Sequence, residues 1–150
     1  MQNIVVIFQA TSQHTESLAL AVGLGAVQAG ANIRLRHLDP SPVSELAHAG
    51  YGTLRVEDLR WAGGAAFILE NPTAELPGDL RSALKAMVSD ETTGQRWFYL
   101  FHSDADSAAR RSAEAMLKAA GFTELPSSTQ AGASIEQMTA VGHALAAQQY

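Results

Sequence analysis

Three hydroxyl side chains, Thr11, Ser12 and Thr15, lie just after the apolar run at residues 4–8 and just before a stretch with helical spacing. A loop that opens into a helix in this way gathers unpaired backbone N–H groups, the positive end of the helix dipole and hydroxyl donors around one point. That combination suits a phosphate dianion without Lys or Arg. Each hydroxyl bond to a buried phosphate would contribute on the order of 1.5–3 kcal/mol. A plainer reading of the same residues is that Thr11 or Ser12 caps the helix. His14, in the same loop, is either a positive charge beside the anion or a solvated first-turn residue.

A second group, His102, Ser103 and Asp104 with Asp106 nearby, follows the aromatic-rich run at residues 97–101. An imidazole there can orient a ring or hold a proton for transfer, whereas Asp104 or Asp106 can equally cap the next helix. A third loop, residues 70–78, contains Asn71, Pro72, Thr73 and Ala74 and, like the loop at 102–107, has no aromatic side chain to stack on a planar ligand. Other chemistries are poorly supported. There is no Gly-x-Ser-x-Gly elbow for a serine hydrolase and no Gly-Lys-Ser/Thr loop for nucleotide hydrolysis. Phe8, Gln9 and Ala10 provide no acidic residue for phosphotransfer to an aspartate.

The elements that must position these loops follow from periodicity. Residues 4–8 are an unbroken apolar, mostly β-branched run, as in a strand buried on both faces. Leu18, Val22, Gly25, Ala26 and Ala29 then mark a helix, with Gly30 as its stop. Residues 33–38 alternate in part, which predicts a half-solvated edge strand ended by Pro40 and Pro42. Helical character returns at 43–49, and 51–60 reads as loop or short helix. Further buried strands are expected at 65–69 and 97–101 and a short one at 122–125. Helices are expected around Leu80–Met87, at 107–120 before Gly121, and after Ser134 as a cap. Trp61, Trp97 and Tyr99 read as packing residues.

Alternation at this spacing gives a parallel sheet with right-handed crossovers and helices on both faces. The expected architecture is one α/β domain over residues 1–150: a three-layer sandwich on a five-stranded parallel sheet of order 2-1-3-4-5. Ligands in such sheets bind beyond the C-terminal strand ends, where the strand order reverses. That rule selects the loops at 9–15, 70–78 and 102–107.

Bulk composition fits one globular domain, with 150 residues, 47% hydrophobic and 17% charged. Its formal net charge of −5 argues against nucleic acid as a partner, and no window reaches the ~20 apolar residues of a membrane span. With no cysteine, redox work would need a bound cofactor. The N-terminus has no basic region before its apolar run, so a cytoplasmic location is expected.

The segment Phe8-Gln9-Ala10-Thr11-Ser12-Gln13-His14-Thr15-Glu16-Ser17-Leu18-Ala19 resembles the start of flavodoxins and flavodoxin-like NAD(P)H:quinone oxidoreductases, where a Ser/Thr-x-Thr-Gly-x-Thr loop grips the phosphate of FMN. Asp58-Leu59-Arg60-Trp61-Ala62 and Pro72-Thr73 resemble further segments of the quinone reductases, and residues 134–147 are similar to their closing helix. The resemblance implies a flavodoxin-like fold, with FMN held by Ala10, Thr11, Ser12, Gln13, His14 and Thr15 at the phosphate. Asn71, Pro72, Thr73, Ala74, His102, Ser103 and Asp104 would lie around the flavin, with His102 as the catalytic candidate. It further implies NAD(P)H as electron donor if the protein is an enzyme, and a quinone or redox protein as partner, with a homo-oligomer also open. Ala10 departs from the pattern where a hydroxyl is expected, and Gln13 where glycine lets the backbone approach a phosphate. These departures support the alternative of a binding module that has lost FMN.

Overall fold

The computed structural model describes residues 2–8, 13–37, 52–69, 78–88, 96–102, 108–125 and 134–147. Strands β1 (Asn3–Phe8), β2 (Asn32–His37), β3 (Gly52–Thr53), β4 (Gly64–Leu69), β5 (Arg96–His102) and β6 (Phe122–Glu124) alternate with helices. The helices are α1 (Gln13–Gln28), α2 (Val56–Trp61), α3 (Gly78–Val88), α4 (Ala108–Ala119) and α5 (Ile135–Ala147). The helix expected at 43–49 lies outside the described residues.

All strand pairs are parallel, in the order β3-β2-β1-β4-β5-β6. The five longer strands therefore stand in the expected 2-1-3-4-5 order, and the two-residue β3 adds a sixth at the margin. Segment 51–60, which the sequence left as loop or short helix, holds both β3 and the start of α2. β2 is half-buried throughout its Ile33–His37 stretch, with β3 paired along its last two residues.

Strict alternation along the central strands divides the apolar side chains into two cores. Ile4, Val6, Phe8, Ala66, Ile68 and Tyr99 pack under α1 and α5, whereas Val5, Ile7, Phe67, Leu69, Phe98 and Leu100 pack under α2, α3 and α4. This accounts for the runs at 4–8 and 64–69 being apolar at every position, since both faces of each strand are covered. Phe67 and Phe122 meet edge to face in the second core, their ring centroids 6.5 Å apart.

Helices α1 and α5 cross in direct backbone contact. A Cβ placed on Gly25 would stand 2.0 Å from the Thr139 carbonyl oxygen, and one on Gly142 would stand 2.1 Å from that of Val22. Only glycine permits this approach. Gly30 and Gly121 end α1 and α4 with φ of 88° and 93°, as expected for left-handed helix stops. Ser134 caps α5, where Gln137 N donates to its Oγ at 3.2 Å while the Ser134 hydroxyl donates to Gln137 Oε1 at 3.0 Å.

Candidate functional site

The chain runs from β1 outward through β2 and β3, then returns to lay β4 on the other side of β1. The strand order thus reverses between β1 and β4. Phe8 is in register with Ile68, Ile68 with Phe101, and Leu69 with His102. The C-terminal ends of β1, β4 and β5 therefore stand side by side, and the three loops selected from the sequence all leave the sheet at one place. This is the crevice position where open parallel sheets take ligands.

Helix α1 begins at Gln13, shortly after β1 ends at Phe8, so its N-terminus opens at the reversal point. Its first-turn Thr15 is buried, with 2% of its surface exposed, and is engaged in an interaction. Neutral donors at that end suit an anion, but the first turn also carries Glu16, whose carboxylate competes for the same positive potential. For FMN, placement and donor chemistry fit: a four-turn helix starts beside the strand ends, its first-turn N–H groups lie outside the helix's own hydrogen-bond ladder, and the sequence puts hydroxyl residues at that start.

Of the residues assigned to the site from sequence, Thr15 is described completely, and Gln13, His14 and His102 are placed through their backbone in α1 and β5. Ala10, Thr11, Ser12, Asn71, Pro72, Thr73, Ala74, Ser103 and Asp104 lie outside the described residues. Among the described residues no cluster of His, Cys, Asp or Glu could hold a metal ion, and no helix is long and apolar enough to cross a membrane.

No protein-family model matches the sequence, and no curated protein sequence matches it. Solved structures do match. A flavodoxin from Streptococcus pneumonia superimposes with a TM-score of 0.66 at 13% identity, covering 97% of this chain and 98% of that one. An azoreductase from Bacillus anthracis gives 0.59 at 10% identity, covering 95% and 99%. The flavodiiron core of Flv1 from Synechocystis gives 0.67 at 16% identity, covering 97% of this chain and 35% of that one. The chain has the flavodoxin-like fold.

In this flavodoxin-like domain the segment at 58–62 ties α2 to the sheet. Asp58, 4% exposed, accepts from Arg34 Nη1 at 3.2 Å, Arg36 Nε at 3.0 Å and the Arg55 backbone N–H at 3.0 Å. The Arg34 guanidinium also lies over the Trp61 ring, 4.1 Å from its centroid. The far end of α2 is fastened to the strand starts. Asn3 Nδ2 donates to the Trp61 carbonyl at 3.2 Å, and Arg96 donates to those of Ala62 and Arg60 at 3.2 and 3.1 Å. These bonds satisfy carbonyls that a helix C-terminus leaves open, with a cation at the negative end of the dipole.

The sequence signal for the Asp58 cluster was the i, i+2 pair Arg34 and Arg36, which strand periodicity puts on one face. Elsewhere in the domain, burial raises the Tyr99 hydroxyl above its usual range, with Arg110 pulling weakly the other way. On α4, a hydrogen bond from Lys118 lowers the Glu114 carboxyl and the same contact raises Lys118.

Proposed function

We propose that this domain binds FMN beyond the C-terminal ends of β1, β4 and β5 and works in electron transfer, as a small carrier or a minimal NAD(P)H:quinone-reductase-like enzyme. The observation that carries the reading is the opening of α1 at the reversal of strand order, with the hydroxyl residues of the resemblance at its start and Thr15 buried in its first turn. Thr11, Ser12 and Thr15, with the first N–H groups of α1, would hold the phosphate. Asn71, Pro72, Thr73 and Ala74 on one loop, and His102, Ser103 and Asp104 on another, would line the ring. The bound flavin supplies one- and two-electron chemistry, and His102 would hold the proton delivered to a quinone oxygen. A cytoplasmic location and a quinone or protein redox partner belong to the same reading.

Ala10, Gln13 and the acidic Glu16 favour a second reading, in which the fold persists as an interaction module without flavin. Thermal melting separates the two. A ligand specific for the folded state stabilises it by about 2.7 kcal/mol at a hundred times its dissociation constant. The first reading expects a clear rise in melting temperature with FMN and a yellow protein on purification. The second expects neither.

A further inference from the structure

We draw no further inference here: the strongest candidate, the half-exposed apolar patch of Leu20, Leu24 and Val27 on the outer face of α1, carries none because nothing in the structure shows what covers it.

Discussion

Phe8 of β1 and Ile68 of β4 are register partners at the point where the strand order reverses. Their register puts the C-terminal ends of the two strands side by side, so that one ligand could reach both chain segments that follow. If FMN is held there through its phosphate, Thr15 in the first turn of α1 should matter more to affinity than His102 at the end of β5. Thr15→Ala is expected to weaken FMN binding about tenfold, the loss of one charge-assisted hydrogen bond. His102→Ala should weaken it less while slowing quinone reduction. Fluorescence titrations of both variants check this, and the reverse order of affinities would point to a different anchoring loop.

Gly142→Ala sets two effects against each other. Alanine favours a helix interior over glycine by about 1 kcal/mol, but its Cβ would stand 2.1 Å from the Val22 carbonyl oxygen and 2.7 Å from the Ala26 nitrogen. Both obstacles are backbone, so α1 and α5 must separate, at a cost on the order of 1–3 kcal/mol from overpacking. Net destabilisation in urea unfolding is expected. Gly30→Ala meets nothing within 4 Å and is strained only by its φ of 88°, so its cost should stay near 1 kcal/mol.

Asp58→Asn should cost about 2 kcal/mol, because a buried carboxylate that accepts from two guanidinium groups and a backbone N–H becomes a neutral amide. The estimate is held down by Arg34 and Arg36 being 36% and 27% exposed. Coupling makes the sharper test. In a double-mutant cycle, Arg36→Ala combined with Asp58→Asn should destabilise less than the sum of the single changes. Strict additivity would mean that the pair contributes nothing.

The sequence made the central strands legible because burial on both faces leaves apolar residues at every position, as in Val5 through Phe8 and Ala65 through Leu69. Gly30, Gly121 and Ser134 marked helix ends through local backbone chemistry alone. β3 was not visible, since two residues carry no periodicity, and the six-residue α2 is too short for periodicity to decide between the loop and the short helix that 51–60 allowed. The role of Asp58 depends on partners 24 and 22 residues away, so spacing along the chain could only bring out the two arginines. For the site, position was readable from topology. A candidate ligand comes only from a resemblance, from whose pattern Ala10 and Gln13 depart.

Tyr99 gives the domain an alkaline limit. Burial holds its hydroxyl proton more tightly in the folded state than in the unfolded chain, where it leaves near pH 10. Its contribution is therefore complete below pH 10 and is lost as pH rises through the higher folded value. Spectrophotometric titration should show one of the three tyrosines ionising late, together with unfolding. Tyr99→Phe should abolish that late step and flatten the fall in stability above pH 10. A Tyr99→Phe protein with the same alkaline profile as wild type would contradict this.

The central claim is that the loop between β1 and α1 holds a flavin by its phosphate, and comparing FMN with riboflavin tests it most directly. The two ligands share the ring and differ by the phosphate that the N-terminus of α1 would bind. Titration by flavin fluorescence should show FMN binding at least tenfold more tightly than riboflavin, and rising salt should weaken FMN more. Equal affinity for the two, or no binding of FMN at high micromolar concentration, would contradict the account.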